Sequence, residues 1–239
     1  MKKSICIDQV IALVLLPIIL LALALLYPIV LISQGRPFIF GAERMRGPGD
    51  AFMLYKIRTM HPPDPMDEQS ILGGDLSSRV TGIGAVLRKS RLDELPQILN
   101  VLRGDIRFIG PRPPLRKYVQ MYPDLYARVL ADTLPGITGL ATVTVHAREE
   151  RILARCRTAE ETDAVYRALC IPIKARLDLM YRDNRGPMLN LLILYRTVTG
   201  LPLRSLLFRK ARSAKNPRGR SNARVAETGS RGETVAAEA

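Results

Sequence analysis

The sequence predicts a predominantly helical α+β protein: an N-terminal membrane helix, then one small domain of helices and short strands. Near the N-terminus, residues 10–32 form an apolar run without a single charge. Further along, apolar residues recur at helical spacing, and Gly and Pro separate two short apolar runs typical of strands. With 239 residues, the chain is long enough for one ordinary domain with a full core.

The composition favours an anionic partner. The formal net charge is +14 and the isoelectric point is about 10.2, which indicates nucleic acid, an acidic membrane surface or a phosphorylated substrate. Aromatic residues are few and Trp is absent, so a base-stacking surface is disfavoured and no nucleic-acid partner is expected. The distant Cys6, Cys156 and Cys170 predict neither a disulfide framework nor a zinc site, and they indicate a reducing, cytosol-facing compartment.

The apolar run predicts a membrane helix within residues 1–35, for which two interpretations stay open. A straight helix over residues 10–32 would run about 34 Å against roughly 30 Å of bilayer hydrocarbon, which fits a single span. Pro17 and Pro28 each remove a backbone donor, however, and are expected to bend or break the helix. Basic residues flank both ends, and such flanks favour the cytoplasmic side, so a re-entrant helix that returns to its own leaflet fits as well.

The second region, residues 36–208, is expected to form the domain and to lie at the membrane. Its first part predicts short strands or extended segments at 38–40 and 52–57. A loop rich in Pro, Asp, Gly and Ser follows at 61–78, and a short helix at 81–89.

The stretch 94–103 predicts an amphipathic helix that ends at Gly104. Its apolar positions follow the i, i+3, i+4, i+7 spacing: Leu95, Ile98, Leu99 and Leu102.

The rest of the domain is expected to be mostly helical, with one turn leading into a strand. The predicted segments are a helix over 115–132 with Val119, Tyr122, Leu125 and Tyr126 inside, a turn and strand over 134–145, a helix over 160–180 interrupted near Pro172, and an apolar helix over 190–203. This last helix is too short to span a bilayer and could lie in the interface. The basic tail, residues 209–239, is expected to be disordered.

An acidic pair, Asp93–Glu94, stands at the start of the amphipathic helix, beside Pro96. One interpretation is structural: Asp93 caps the helix, which stabilises it by about 1 kcal/mol. The other is functional, because a helix start favours anions and four arginines lie nearby in the sequence: Arg88, Arg91, Arg107 and Arg112. Guanidinium groups bind two phosphate oxygens at once, and Mg²⁺ prefers one or two carboxylates plus substrate phosphates.

The sequence GPRPP at 110–114 encloses Arg112 between prolines that fix φ and remove donors. It predicts either a rigid turn between elements or an arginine ordered in advance to bind an anion, since a stiff loop loses less entropy on binding.

Five segments together resemble the monotopic phosphoglycosyl transferases, the bacterial sugar transferase family that initiates lipid-linked glycan assembly. After the apolar N-terminal segment they occur in the family's order: QGRPFIF, FMLYKIRTM at 52–60, LDELPQILNVLRGDIRFIGPRP at 92–113, LPGITGLA at 134–141 and KARLDLMYRDNRG at 174–186. The third segment is long and specific, and the resemblance extends over roughly residues 5–200.

The resemblance implies that a sugar-1-phosphate moves from a nucleoside diphosphate sugar to a polyprenyl phosphate. It implies Asp93 as the nucleophile, which forms an aspartyl-phosphosugar intermediate, and Glu94 as a partner that binds metal or orients Asp93. Four basic residues match the family's phosphate-binding and K-x-R-T-M elements: Arg88, Arg112, Lys56 and Arg58.

The resemblance also implies Mg²⁺ as cofactor, held by Asp93 and Glu94. It favours a re-entrant helix at the bacterial inner membrane with the catalytic domain on the cytoplasmic face. A homodimer is left open.

Three positions depart from the family pattern. The Ser-Pro pair that many members carry in the middle of the membrane helix is replaced by LLALAL, Arg107 stands where Ser is usual, and Asn190 stands where Asp is common.

An alternative from another class is a membrane-anchored, non-catalytic basic protein that binds anionic lipid or nucleic acid. Its binding would depend on salt and not on Asp93.

Overall fold

The computed structural model describes residues 6–61 and 79–200. It begins with α1 (Ile7–Gln34), a helix of 28 residues and, among those described, the one that is long and apolar enough to cross a membrane by length and composition. The expected break does not interrupt it: the backbone is helical on both sides of Pro17 and Pro28. Each proline removes only one donor, so the neighbouring turns can still close. The predicted loop at 61–78 falls almost entirely, and the predicted tail entirely, outside the described residues.

Both ends of α1 contact the domain that follows. Ala12, near one end, is fully buried in a cluster with Phe52, Ile98 and Val101. Val30, near the other end, is fully buried against Ile57 and Leu87. Most of the apolar side chains between them are exposed. Between these two places Leu16, Ile19, Leu23 and Leu26 pack against the same two clusters. One face of α1 therefore lies along the domain, while its other apolar side chains are exposed.

Hydrogen bonds fix the same two ends. Near the start, Asp8 accepts from the backbone N–H of Phe108 at 3.0 Å, and Gln9 donates to the carbonyl of Leu102 at 2.9 Å. Near the end, the Gln34 side chain accepts from the Thr81 hydroxyl at 2.7 Å.

An antiparallel hairpin follows, in which β1 (Ile39–Gly47) pairs with β2 (Asp50–Ile57). The two predicted strands are confirmed, and β1 is longer than expected. Gly49 in the turn has φ +80°, a conformation that favours glycine. The ladder pairs Phe40 with Lys56, which places Lys56 at the end of β2 that approaches the acidic pair.

The predicted short helix is α2 (Gly82–Ser90), and the Thr81 hydroxyl caps it by accepting from the Gly84 N–H at 2.9 Å. The predicted amphipathic helix is present but divided. A 3₁₀ helix (Leu92–Gln97) leads into α3 (Ile98–Arg103), which ends at Gly104 as expected. A 3₁₀ turn is tighter than an α turn, so the buried face changes: Asn100 and Val101 are fully buried, whereas Leu99 is 40% exposed.

A short parallel pair, β3 (Arg107–Ile109) with β4 (Gly136–Thr138), connects two of the sequence segments and was not predicted. Three glycines allow their backbones to meet. A Cβ on Gly136 would lie 2.2 Å from the N atom of Gly110, and one on Gly139 would lie 2.1 Å from the Gly110 carbonyl oxygen. The GPRPP loop therefore lies directly on the LPGITG segment.

The predicted helix at 115–132 is confirmed as two helices, α4 (Arg116–Met121) and α5 (Pro123–Val129). They separate at Tyr122, because the residue before a proline is disfavoured in the α region. The strand expected to continue to residue 145 is wrong: β4 ends at Thr138 and α6 (Leu140–Leu153) follows at once. The β-branched residues of ATVTV suggest a strand, but the tertiary environment overrides that weak propensity.

The interruption expected near Pro172 is confirmed and takes the form of a π-helical turn. It lies between α7 (Ala159–Val165) and α8 (Ile171–Asn184) and comprises Tyr166–Cys170. The last described helix is α9 (Pro187–Thr199), earlier by a few residues than predicted. It exposes an apolar stripe that suits an interface, formed by Met188, Leu191, Leu194, Tyr195 and Val198.

Candidate active site

The acidic pair lies in the first turn of the 3₁₀ helix and is buried. Arg91, the residue between α2 and this helix, has φ 59° and lies in the left-handed region. This reversal brings Arg88, on the last turn of α2, and the two carboxylates to the same side. An arginine in this conformation is uncommon, and such backbone strain often occurs at functional sites.

Three cations bind the Glu94 carboxylate. Its Oε1 accepts from Lys56 Nζ at 3.1 Å and from Arg112 Nη2 at 2.9 Å, and its Oε2 accepts from Arg91 Nη2 at 2.8 Å. Burial alone would raise the pKa of Glu94, but Arg112, Lys56 and Arg91 together hold it well below its usual range. Glu94 is therefore a fixed negative charge that orders three positive ones.

Asp93, the neighbouring residue, is much less engaged. Among the described residues, Lys56 is the one cation within 4.0 Å of its carboxylate. Burial raises the pKa of Asp93, and the negative charge of Glu94 raises it further. The positive charge of Lys56 lowers it, but the net direction is upward. The Asp93 and Glu94 side chains are almost equally buried, at 9% and 8% exposed, so the two carboxylates differ in their cation partners and not in their exposure. Asp93 has the character of an available nucleophile, and Glu94 does not.

Two further basic residues of the prediction are at this site. Arg88 donates from Nε to the Thr59 hydroxyl at 2.9 Å and lowers the pKa of Asp93 through its charge. Arg112 lies on the proline loop, whose Pro111 and Pro113 are buried, and its side chain is 35% exposed. The structure thus brings together Lys56, Arg88, Arg112 and the acidic pair.

Arg58 is not among them, so the structure does not place it with the other residues that were expected to bind phosphate. Its guanidinium is buried at the end of α1, where Nη2 donates to the carbonyls of Gln34 and Gly35, the latter at 2.8 Å. Carbonyls at a helix C-terminus attract a cation, so Arg58 fixes the end of α1 to the domain. Arg107 is also elsewhere: it lines a cavity of about 430 Å³ near the start of α1 together with Asp8 and Arg46.

The sequence did not indicate that Arg91 pairs with Glu94, or that Asn100 supports the site. Asn100 is fully buried, accepts from the Tyr55 N–H at 3.0 Å and donates to the Met53 carbonyl at 2.8 Å. It therefore holds α3 against β2, the strand that carries Lys56. A polar residue within an apolar helical repeat was the available signal.

The sequence also did not indicate that groups from a distant part of the chain act electrostatically on the site arginines. Burial lowers the pKa of Arg112, but Glu94 raises it, and Glu149 on α6 and Tyr166 in the π-helical turn raise it further, so that the net direction is upward. Burial lowers the pKa of His146 on α6, and the charges of Arg112 and Arg91 lower it too.

Magnesium fits this site through Asp93 more readily than through Glu94. Both Glu94 oxygens already bind cations, whereas Asp93 could offer a carboxylate oxygen. The described residues contain no group of three or more His, Cys, Asp and Glu side chains placed to hold a metal. Mg²⁺ commonly uses one or two carboxylates plus substrate phosphates, and Asp93 with a bound diphosphate is the donor set that these residues could offer.

Comparisons with known proteins show what this chain is similar to. The chain is 36% identical over 170 residues to the uncharacterized sugar transferase EpsL of Bacillus subtilis, covering 71% of this chain and 72% of the relative. It is 37% identical over 161 residues to the UDP-glucose:undecaprenyl-phosphate glucose-1-phosphate transferase of Caulobacter vibrioides, covering 62% of this chain. It is 35% identical over 195 residues to the UDP-N-acetylgalactosamine-undecaprenyl-phosphate N-acetylgalactosaminephosphotransferase of Aeromonas hydrophila, covering 79% of this chain.

The chain spans 58% of the length of the Caulobacter vibrioides relative and 40% of the length of the Aeromonas hydrophila relative. The bacterial sugar transferase pattern matches residues 2–203, which is most of the chain. The dyad, the arginines around it and the membrane helix all lie within that match. The chain therefore belongs to the bacterial sugar transferase family.

Proposed function

We propose that the protein transfers a sugar-1-phosphate from a nucleoside diphosphate sugar to a polyprenyl phosphate through an aspartyl-phosphosugar intermediate. The names of the relatives support the reaction class, with undecaprenyl phosphate as acceptor. The observation that carries the mechanism is the difference between the two carboxylates: three cations bind Glu94 at 2.8–3.1 Å, while the cation nearest to Asp93 among the described residues, Lys56, is at 4.0 Å. Such a transfer is the first membrane step in building a polysaccharide.

In the first step, an Asp93 carboxylate oxygen attacks the β-phosphorus of the donor. A bond forms between this oxygen and the β-phosphorus, the bond from that phosphorus to the oxygen bridging the α-phosphate breaks, and nucleoside monophosphate leaves. In the second step, a phosphate oxygen of the polyprenyl phosphate attacks the same phosphorus, which releases the Asp93 carboxylate. The product is a polyprenyl diphosphate sugar.

The cations allow an anion to attack an anion. Arg88, Lys56 and Arg112 lie beside the acidic pair and reduce its repulsion of the diphosphate. Glu94 keeps Lys56 and Arg112 in place before the donor arrives, so that little reorganisation is needed on binding. When Mg²⁺ is bound, it would neutralise further diphosphate charge, with Asp93 the residue best able to hold it.

The membrane helix is proposed to be re-entrant, with the catalytic domain at the cytoplasmic face. Both ends of α1 are hydrogen-bonded to the same domain: Asp8 to Phe108 at one end and Gln34 to Thr81 at the other. A helix perpendicular to the bilayer would carry its two ends to opposite faces, whereas α1 keeps both ends at one domain. Because α1 is continuous through Pro17 and Pro28, re-entry requires it to bend at one of these prolines in the membrane.

The test is an assay for nucleoside monophosphate release from a panel of nucleotide sugars, with Mg²⁺, polyprenyl phosphate and the protein in nanodiscs. Wild type is expected to use at least one donor, and Asp93→Asn to lose at least about 10³-fold in rate because no nucleophile remains. A labelled donor should leave a phosphosugar on Asp93. Robust turnover by Asp93→Asn, with wild-type folding, would contradict the mechanism.

The alternative, a non-catalytic basic protein, is not favoured by the relatives. It predicts no nucleoside monophosphate release with any donor of the panel. It also predicts salt-dependent binding of anionic lipid or nucleic acid that does not change when Asp93 is substituted.

A further inference from the structure

Arg88 lies on the exposed surface of α2, yet its guanidinium is held at one atom. Its Nε donates to the hydroxyl of Thr59 at 2.9 Å, and Thr59 is only 7% exposed. The two Nη atoms of Arg88 form no hydrogen bond with any of the described residues. A long arginine side chain in solvent samples many rotamers, and a bond at Nε restricts that freedom. The planar group is therefore held in one orientation while both Nη atoms stay available for an anion.

The backbone of Thr59 is fixed from two sides. Its carbonyl accepts from the N–H of Thr81 at 3.1 Å, and Thr81 is the cap of α2. A Cβ on Gly84 would lie 2.1 Å from the same carbonyl oxygen, so the first turn of α2 rests directly on this backbone. From the other side, the Gln34 side chain at the end of α1 donates to the carbonyl of Arg58. The Thr59 hydroxyl therefore belongs to a backbone that two helices hold in place.

The hydrogen bond between Thr59 and Arg88 joins the two chain segments that meet at the acidic pair. Thr59 follows Lys56 by three residues, which is about 10 Å of extended backbone. Lys56 Nζ lies 3.1 Å from one carboxylate of the pair and 4.0 Å from the other. On the second segment, the Arg91 N–H donates to the Arg88 carbonyl at 3.1 Å, and the Glu94 N–H donates to the Arg91 carbonyl at 3.2 Å. Arg88 is thus two successive backbone turns from the pair.

We propose that Thr59 is a positioning residue for the donor diphosphate: its hydroxyl holds the Arg88 guanidinium so that both Nη atoms face the phosphates bound at Asp93. The inference rests on the proposed function and names a residue on which its phosphate binding depends. Donors that are ordered in advance lose less entropy when the diphosphate binds, and they need not reorient as charge develops on the oxygens around phosphorus. Thr59 acts through Arg88 and does not itself contact the donor.

The experiment is a double-mutant cycle of Thr59→Val and Arg88→Met, made in the full chain in nanodiscs. Valine keeps the shape of threonine without the hydroxyl. Methionine is chosen for Arg88 because the amide of a glutamine could replace the Nε donor. The affinity for UDP is measured by calorimetric titration, since the names of two relatives state UDP-sugars, and kcat/KM is measured with the donor that wild type uses.

We expect Thr59→Val to lower both the UDP affinity and kcat/KM about 10-fold when Arg88 is present. In the Arg88→Met background the same substitution should change either quantity by less than about 2-fold, because the group through which Thr59 acts is gone. Thr59→Ser, which keeps the hydroxyl, should stay within about 3-fold of wild type.

Thr162→Val is the matched control, since Thr162 is also a buried threonine, whose hydroxyl donates to the Thr158 carbonyl at 2.8 Å on α7. Its UDP affinity should equal that of wild type, whatever its unfolding midpoint. A merely structural Thr59 would give the same loss in both Arg88 backgrounds together with a lower unfolding midpoint. That result, an unchanged UDP affinity in Thr59→Val, or no UDP binding by wild type would overturn the inference. If the cycle holds for UDP affinity but wild type turns over no donor, the transfer reaction fails and the link between Thr59 and Arg88 stands.

Discussion

At the scale of single residues, Asp93 and Glu94 are adjacent in the chain and differ in what surrounds them. The three cations around Glu94 keep it ionised, and burial with few partners keeps Asp93 free to react. Two carboxylates whose pKa values are driven in opposite directions take different tasks. In this site, one is suited to electrostatic support and the other to covalent chemistry.

Asp178 on α8 is a buried carboxylate outside this site, and it predicts a pH dependence of stability. Its Oδ1 has no hydrogen-bond partner among the described residues, and burial raises its pKa to about 7 against the opposing charge of Lys174. An acid whose folded pKa exceeds the unfolded one binds its proton more tightly when folded. The free energy of unfolding therefore falls as the pH rises from about 4 to about 7 and then stays level.

We expect Asp178→Asn to remove the fall in the free energy of unfolding that Asp178 causes as the pH rises. Its free energy of unfolding should exceed that of wild type by up to about 4 kcal/mol at pH 8 and by less than about 2 kcal/mol at pH 5. Denaturant unfolding at the two pH values measures the difference. Asp183→Asn, at an exposed position of the same helix, should show no such dependence. An equal effect of Asp178→Asn at both pH values would be inconsistent with a protonated Asp178.

At the scale of elements, the position of Arg112 depends on the contact between the GPRPP loop and β4. In Gly136→Ala the new Cβ would lie 2.2 Å from the Gly110 N atom and 2.6 Å from the Ile109 carbonyl carbon, and backbone atoms cannot yield cheaply. We expect about 1–3 kcal/mol lower stability and a raised KM for the donor as Arg112 moves.

Thermal unfolding and donor titration of Gly136→Ala measure these two effects. Gly186→Ala is the control, because nothing lies within 4 Å of its Cβ and its φ of −177° is extended backbone. If Gly136→Ala keeps wild-type KM and unfolding midpoint, the loop does not depend on this contact.

The sequence could predict those elements that are determined by residues close to them in the chain, and it could not predict those that depend on contacts with distant residues. The acidic pair, Arg88 and the Thr81 helix start are specified within a few residues, and the structure places them together. The face of α3 could not be read correctly, because the 3₁₀ helix before it shifts the phase and buries Asn100 in place of Leu99. Residues 140–145 were expected to form a strand but are helical, because the tertiary environment overrides the weak β propensity of their sequence.

The cations of the site show the same limit. Lys56 and Arg58 are two residues apart on one motif, yet only Lys56 binds the dyad, while Arg58 binds the end of α1. Which of two nearby cations faces a site depends on the strand register and on where a helix ends. Those are properties of the fold, and a sequence motif does not contain them.

At the scale of the whole molecule, the position of α1 relates the site to the bilayer. The same helix that exposes its apolar surface along most of its length is attached at both ends to the domain that holds Asp93. If α1 lies in the membrane as proposed, a site held this way is kept at the membrane surface, where the phosphate of the proposed lipid acceptor would lie. The topology of α1 therefore decides whether donor and acceptor can meet at one residue.

Membrane-impermeant maleimide labelling in sealed vesicles of known orientation tests that topology. Cys6 precedes α1 and Ser33 lies exposed near its end, and the buried Cys156 and Cys170 are replaced by Ser so that a single thiol reports. In one variant Cys6 is the reporter, and in the other Cys6→Ser is combined with Ser33→Cys. If the helix re-enters, both thiols react in inside-out vesicles and neither in right-side-out vesicles. A spanning helix would place the two thiols on opposite faces, so the two variants would label in opposite vesicle preparations. That result would contradict re-entry, and it would mean that the contacts at one end of α1 break in the membrane.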